Sequence, residues 1–493
     1  MSLRPMRSSR FLLASVVAAC LAMSACGTAT DVAVPGVERP DVGAVPGPVA
    51  TTSAPVVTPV VTSPVTVPAT EVTPTPVAPT VATLDTPVAT VAATPGTTVP
   101  PETDLSTTAT TVAAPTGWDA FDLRIRSILD EGSQAVSATV LRDGEVVHEV
   151  ALGSRLAAGE PSAGGEPSAG SEPSAGGEPS AGSEPVEVGD RYRVASISKV
   201  ITSITVLRLV ERGLIGIDEP VGARLAARVG VTAPVGGVDG ITVGDLLSHR
   251  SGLAQYEDLM FRRQVESCGD AAVTGLSRPL ERTPGTTFRY SNLNFCLLGL
   301  LIEDLTGRPY VDVVREELLA PLGLDGPRLA GTFDVRDGDV EHRSDAGRNY
   351  MEVLDAAGSW IASPTDIATI IDSLDTSTPG WKPLGPDVLS EMKTILEDPP
   401  VPIETDAAGS IAPDAGATTT TVPVPPTSGY GLGLMIFGPG SFGHTGTLES
   451  THAMTMRRPD GITWAITVSG DHPSSTRRLA TIVDEALVAG AIV

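Results

Sequence analysis

The segment Ser196-Ile197-Ser198-Lys199 opens an apolar run at residues 200–210, which predicts a helix. Residues three apart share one face of a helix, so we expect the Ser196 hydroxyl and the Lys199 amine to touch. A serine hydroxyl becomes an effective nucleophile only when a base lies within hydrogen-bond reach. A lysine provides that base only where its surroundings lower its pKa. The chain has three lysines among its 33 basic residues, and arginine cannot replace lysine as a base. The alternative is a surface lysine on a helix.

Two further short motifs lie downstream. Tyr290-Ser291-Asn292 precedes a second apolar helical run at residues 295–305. A tyrosine near a lysine can relay a proton, and an asparagine can hold a substrate amide; the alternative is a packed tyrosine and a helix-capping asparagine. His444-Thr445-Gly446-Thr447 lies on a predicted strand whose backbone edge could bind an extended substrate, with Gly446 permitting close approach. The alternative is a strand with a turn glycine.

The order of elements around these motifs predicts an α+β fold. An amphipathic helix at 119–130 is followed by a hairpin at 138–152 that turns at Asp143-Gly144. A mostly helical region extends from Ser196 to about Leu374, and strand patterns return at 430–437, 443–448, 452–457 and 462–469 before a closing helix at 475–491. Strands at both ends with helices between them indicate one antiparallel sheet, flanked by N- and C-terminal helices, with an inserted mostly helical region.

Low-complexity segments divide the chain. Residues 27–117 are rich in Thr, Pro and Val, contain little bulky apolar surface, and are predicted to be a disordered spacer. The folded domain that contains the three motifs is placed at 118–493. Inside it, a repeated Glu-Pro-Ser-Ala-Gly segment at 158–185 and a Pro- and Thr-rich segment at 399–428 are predicted surface loops.

The N-terminus has the features of an export signal. Basic residues precede a short apolar run, and residues 1–26 end in small residues leading to Cys26. This ending is similar to the lipobox of bacterial lipoproteins, so we expect lipidation of Cys26 and a position on the outer face of the cell membrane, within the cell wall. Ordinary secretion is the alternative. Cys268 and Cys296 remain in the folded part, where an exported chain is expected to form a disulfide or else keep two buried thiols.

Charge and composition exclude some classes of function. A net charge of −26 argues against a nucleic-acid partner, because phosphate binding needs clustered basic residues. No His, Cys or Asp spacing indicates a metal site, and no cofactor is expected. We expect a monomer that acts on a small molecule or a peptidoglycan peptide and that reaches the membrane only through the lipid anchor.

Taken together, the three motifs resemble the signature of the serine β-lactamase and penicillin-binding-protein family, in its class C β-lactamase and D-alanyl-D-alanine carboxypeptidase branch. That signature is Ser-x-x-Lys, then Tyr-x-Asn, then Lys- or His-x-Gly on a strand. Residues 242–253 and 358–366 are also similar to family segments, and the resemblance extends from about Trp118 to Val493. It implies a β-lactamase/transpeptidase-like fold.

The resemblance also implies roles for individual residues. Ser196 would be acylated, Lys199 and Tyr290 would share proton transfer, and Asn292 would orient the substrate. The backbone N–H groups of Ser196 and Thr447 would form the oxyanion hole. His249 is interpreted as a structural loop residue.

His444 departs from the usual lysine of the family and would carry only a partial positive charge at neutral pH. Family members with this histidine look more like esterases or D-amino-acid peptidases. The sequence therefore predicts an acyl-serine hydrolase that cleaves amide or ester bonds in a cell-wall D-amino-acid peptide, a β-lactam or a small ester. The alternative is a catalytically weak or inactive wall-anchored penicillin-binding or peptidoglycan-binding protein.

Overall fold

Strands from the two ends of the domain predicted at 118–493 pair directly with each other in the computed structural model, which describes residues 116–155, 184–396, 428–473 and 475–493. β1 (Ala135–Arg142) pairs antiparallel with the last strand, β11 (Ile462–Ser469), in the register Ala135↔Ser469. The predictions for residues 1–26, for Cys26, and for most of the spacer and the two low-complexity loops fall outside the described residues.

The main sheet has eight antiparallel strands in the order β3-β2-β1-β11-β10-β9-β8-β7, and a smaller sheet has the order β4-β6-β5. The further strands are β2 (Glu145–Arg155), β3 (Glu184–Pro185), β4 (Tyr192–Arg193), β5 (Arg328–Leu329), β6 (Trp360–Ala362), β7 (Gly429–Tyr430), β8 (Met435–Gly438), β9 (Ser441–Leu448) and β10 (Thr451–Arg457). The antiparallel sheet with helices confirms the predicted fold class. The last two residues of the repeat segment, Glu184 and Pro185, pair with Arg155 and Ser154 as an edge strand.

The described helices are α1 (Trp118–Asp130), α2 (Ser198–Glu211), α3 (Gly222–Arg228), α4 (Val243–Leu247), α5 (Glu257–Phe261), α6 (Cys268–Leu276), α7 (Asn292–Thr306), α8 (Tyr310–Val314), α9 (Tyr350–Leu354), α10 (Pro364–Asp372), α11 (Pro386–Lys393) and α12 (Thr476–Ala489). A π-helical turn, Arg315–Leu319, follows α8. Within the described ranges, no helix is long and apolar enough to cross a membrane.

Local sequence explains several of these elements. Asp143 and Gly144 both have positive φ, 52° and 87°, as the central residues of a tight turn between twisted strands require. The Ser363 side chain accepts a hydrogen bond from the Asp366 N–H, and Asp366 bonds back to Ser363. This reciprocal cap starts α10 immediately after β6, so the segment that includes residues 363–366 has a structural role.

Two hydrophobic clusters hold the helices against the main sheet and position residues 196–199 between them. α1 and α12 pack on one face of the main sheet, where Phe121 and Leu479 meet Trp464 of β11. The helical region packs around α2, which is buried on nearly all sides and includes buried serine and threonine side chains among its apolar ones. Residues 196–199 lead into this central helix, so the serine and the lysine lie at the boundary between the helical region and the sheet.

Candidate active site

Ser196 lies in a single 3₁₀ turn, Ala195–Ile197, that leads into α2. The preceding Ala195 has φ 50°, in the left-handed region that residues other than glycine rarely adopt. Strand β9 presses against this turn, because a Cβ on Gly446 would lie 2.3 Å from the Val194 carbonyl oxygen and 3.1 Å from the Ala195 Cβ. Only glycine fits there, and the close approach brings the following Thr447 beside the turn that carries Ser196.

Lys199 is fully buried, and its ammonium nitrogen reaches three acceptors. Its Nζ lies 3.1 Å from Ser196 Oγ, 2.7 Å from Asn292 Oδ1 and 2.8 Å from the Ala357 carbonyl oxygen. The amide and carbonyl oxygens can only accept, so they always hold two of the lysine N–H groups. The third position, which faces Ser196, is an N–H in the ammonium and a lone pair in the neutral amine. The geometry can therefore aim the lone pair of a neutral Lys199 at the serine hydroxyl.

Aromatic rings line the other side of Lys199. Its Nζ lies 4.9 Å from the centre of the Tyr290 ring and 5.6 Å from that of Phe295. Such faces attract a cation. Burial acts in the opposite sense, because removing the amine from water disfavours its charged form.

His249 supports the loop that carries Tyr290. Its ring lies 4.2 Å from the Tyr290 ring, centre to centre, and its Nδ1 accepts a hydrogen bond from the Ser291 N–H at 3.2 Å. Burial holds the pKa of His249 well below its usual range, with Lys199 adding to the effect, so the ring is neutral. These contacts agree with the interpretation of His249 as a structural residue.

Asn292 is the first residue of α7, with Ser291 as the preceding cap position. Its Oδ1 accepts from Lys199, while its Nδ2 donates to Glu257 Oε2 at 2.8 Å. The Asn292 side chain therefore bridges Lys199 and Glu257. Glu257 belongs to no motif recognised in the sequence. Ala357 was also missed, although it directly precedes the family-like segment at 358–366.

His444 differs from the sequence-based expectation of a partial charge. Its Nδ1 lies 2.6 Å from the Thr445 carbonyl oxygen, to which it donates, and its Nε2 lies 3.1 Å from the Tyr430 hydroxyl, from which it accepts. Burial lowers the pKa of His444 to about 3, partly opposed by the bond to Thr445 and reinforced by Lys199. A fully buried imidazole with one donor and one acceptor bond is neutral at physiological pH, so this position supplies no cation.

The outer edge of β9 is paired with a strand only along its first residues in the described part of the chain. β8 pairs with β9 at Ser441, Phe442 and Gly443, and none of the described strands pairs with that edge at residues 444–448. The Thr445 hydroxyl points to the Met435 sulfur at 3.7 Å, and Thr447 is exposed. An edge of this kind can pair with the extended backbone of a substrate.

A disulfide joins Cys268, at the start of α6, to Cys296 of α7, with Cα atoms 5.7 Å apart. Cys296 lies one helical turn after Asn292, on the same face of α7. The cross-link therefore ties the helix that carries Asn292 to its neighbour. In the described part of the chain, no group of three or more His, Cys, Asp or Glu side chains is placed to hold a metal ion.

The structure thus brings Ser196, Lys199 and Asn292 into direct contact, with Tyr290 and β9 beside them. The protein has a serine-hydrolase-like fold of the β-lactamase and transpeptidase type. In this fold, a serine and a buried lysine lie at the boundary between a helical region and an antiparallel sheet. The Beta-lactamase family model matches residues 121–488, and the chain belongs to this family.

Similarity to individual proteins supports this membership. Penicillin-binding protein 4 of Amycolatopsis lactamdurans is 32% identical over 140 residues, which make up 27% of this chain and 34% of that protein. The matched region thus spans about a third of that relative. Two solved structures share the fold: a D-stereospecific amidohydrolase from Streptomyces (24% identity, TM-score 0.50) and the D-amino acid amidase of Ochrobactrum anthropi (19% identity, TM-score 0.54). Each match covers 75% of this chain and 97% of the other.

Proposed function

We propose that the protein is an acyl-serine hydrolase that cleaves amide or ester bonds through a Ser196 acyl-enzyme. The observation that carries the proposal is the environment of Lys199 Nζ, where two acceptor-only oxygens leave the third position facing Ser196 Oγ. This arrangement favours Lys199 as the general base, with Tyr290 relaying the proton.

The reaction follows from these positions. Neutral Lys199 takes the Ser196 proton as Oγ bonds to the substrate carbonyl carbon. The bond from that carbon to the leaving nitrogen or oxygen then breaks, and the leaving group receives the proton through Lys199 or Tyr290. A water molecule hydrolyses the acyl-enzyme by the same steps, which restores the Ser196 hydroxyl and releases an acid. The N–H groups of Ser196 and Thr447 would stabilise the oxyanion in both halves.

The neutral His444 supports substrates without a carboxylate at this end of the site. A cation there would attract the carboxylate of a β-lactam or of a peptide terminus, and the Thr445 hydroxyl contacts the Met435 sulfur instead of a charged group. Amides and esters, including those of D-amino acids, fit this chemistry better. The names of the Streptomyces amidohydrolase and the Ochrobactrum amidase favour the same substrate class.

The N-terminal segment adds a location to the proposal. Its basic residues, its apolar run and Cys26 favour export and lipid anchoring at the outer face of the cell membrane. The Thr- and Pro-rich spacer would then hold the catalytic domain within the cell wall, as a monomer beside its peptide or small-molecule substrate.

The test is covalent labelling followed by turnover. The purified full chain is treated with a fluorophosphonate and with a fluorescent penicillin, and the modified peptide is mapped. We expect modification at Ser196, with none in Ser196→Ala. Turnover of a D-amino acid amide or a p-nitrophenyl ester would then establish a hydrolase. Stable penicillin labelling without turnover of any substrate would favour the wall-anchored binding protein instead.

A further inference from the structure

Glu257 contacts the candidate site although no motif contains it. It is the first residue of α5, and its two carboxylate oxygens face the start of α7. Oε2 accepts from Asn292 Nδ2 at 2.8 Å, and Oε1 lies 3.4 Å from the Asn292 backbone nitrogen. The carboxylate therefore bonds twice to the residue that holds Lys199.

These contacts permit only one orientation of the Asn292 amide. The ammonium form of Lys199 can only donate hydrogen bonds, and an ionised carboxylate can only accept them. The amide must therefore turn its oxygen to Lys199 and its nitrogen to Glu257. The opposite orientation would place two donors together at Lys199 and two acceptors together at Glu257. Glu257 thus decides which atom of Asn292 faces the lysine.

The charges around Glu257 couple it to the same lysine. Burial raises the pKa of Glu257 and Asp258 acts in the same sense, whereas Asn292 and Lys199 lower it. Asp258 is 71% exposed and pairs with Arg262, so it points away from this contact. Among these groups, Lys199 is the positive charge that stabilises the carboxylate, and the carboxylate in turn stabilises the ammonium of Lys199.

We propose that Glu257 is a positioning residue that acts through Asn292, orienting the Lys199 amine toward Ser196 and setting the acid limb of the pH–rate profile. The inference rests on the proposed function, since it assumes that Lys199 activates Ser196. Glu257 and Lys199 interact electrostatically, so the limb depends on both groups.

The test measures the rate of fluorophosphonate labelling of Ser196 between pH 4.5 and 9, together with kcat and KM for an uncharged ester. In Glu257→Gln, a glutamine can accept from only one of the two Asn292 N–H groups. We expect the plateau rate of labelling and kcat to fall about 10- to 100-fold, with KM within about twofold of wild type. The acid limb should move to lower pH, because the Lys199 ammonium loses its negative neighbour.

Two further variants separate positioning from stability. Glu257→Asp keeps the charge, so the acid limb should stay in place and part of the plateau rate should return. Asp258→Asn removes a charge from the next residue of α5; it should match wild type in the plateau rate and move the acid limb much less than Glu257→Gln does, because Asp258 has the smallest effect on Glu257 among the groups named. Each labelling rate is divided by the folded fraction measured at the same pH, because unfolded protein in rapid exchange with the folded form lowers the observed rate in proportion.

The outcomes are distinguishable. Wild-type protein that fails to label at Ser196 would overturn the proposed function and this inference with it. Labelling of Glu257→Gln at the wild-type rate, or a lower folded fraction with an unmoved acid limb, would overturn the inference alone. In that case Glu257 would serve only to pack α5 against α7.

Discussion

The charge of His444 leads to the most specific prediction. An ordinary histidine, with a pKa near 6.5, goes from about 90% charged at pH 5.5 to about 3% charged at pH 8. With its pKa lowered to about 3, the buried ring stays below about 1% charged over that whole range. Charging it at pH 7 would cost about 5 kcal/mol. Discrimination between charged and uncharged substrates should therefore not depend on pH through this residue.

The assay is the ratio of kcat/KM for nitrocefin, which bears a carboxylate, to kcat/KM for an uncharged ester, from pH 5.5 to 8. Effects of Lys199 and Glu257 on nucleophile activation are common to both substrates and cancel. We expect the ratio to favour the ester and to change less than about twofold. His444→Lys should raise it by about 5- to 30-fold, equivalent to about 1–2 kcal/mol for a partly desolvated charge, while His444→Gln leaves it unchanged. A wild-type ratio that falls about tenfold as the pH rises through 6.5 would refute a neutral His444. An unchanged ratio in His444→Lys would mean that pocket shape sets the preference.

Three further predictions concern the nucleophile, the base and the disulfide. Ser196→Ala should lower kcat by several orders of magnitude while leaving the thermal unfolding curve intact, and retained turnover in folded protein would exclude Ser196 as the nucleophile. Lys199→Arg should lower activity nearly as much as Lys199→Ala, because the site needs an amine that releases a proton. The control Lys382→Arg should match wild type. Substantial activity in Lys199→Arg would mean that Tyr290 is the base. Replacing both Cys268 and Cys296 with alanine should lower the free energy of unfolding in urea by roughly 3–4 kcal/mol, since the bond closes a loop with a sequence separation of 28. Two free thiols on alkylation and intact-mass analysis of the exported protein would contradict the bridge.

Local patterns were enough to predict much of the fold. The Asp143-Gly144 pair adopts the positive φ angles of a two-residue turn, and that turn specifies the hairpin of β1 and β2. Strand patterns in the sequence likewise indicate β10 and β11. The contact between Ser196 and Lys199 follows from a spacing of three residues at the start of a helix. Each of these features depends on residues close together in the chain, so the sequence alone could predict them.

Contacts between distant segments could not be predicted in this way. Glu257 meets Asn292 across 35 positions, and the pairing of β4 with β6 joins residues that no local pattern connects. Both depend on how the helical region packs around α2. The close approach of β9 to the turn at Ala195, whose φ is positive, likewise joins segments that are distant in the chain.

By itself, the sequence determined which reactive groups are present and in what order: a serine and a lysine three residues apart, a tyrosine and an asparagine two apart, and a histidine where the family usually has lysine. Only the tertiary structure decided their states. His444 is neutral because the fold removes it from water and gives it Tyr430 as a donor, and the Lys199 lone pair can face Ser196 because Asn292 and Ala357 occupy its other two directions. A residue type specifies what can ionise or donate, whereas burial and partners, which tertiary packing creates, decide whether it does.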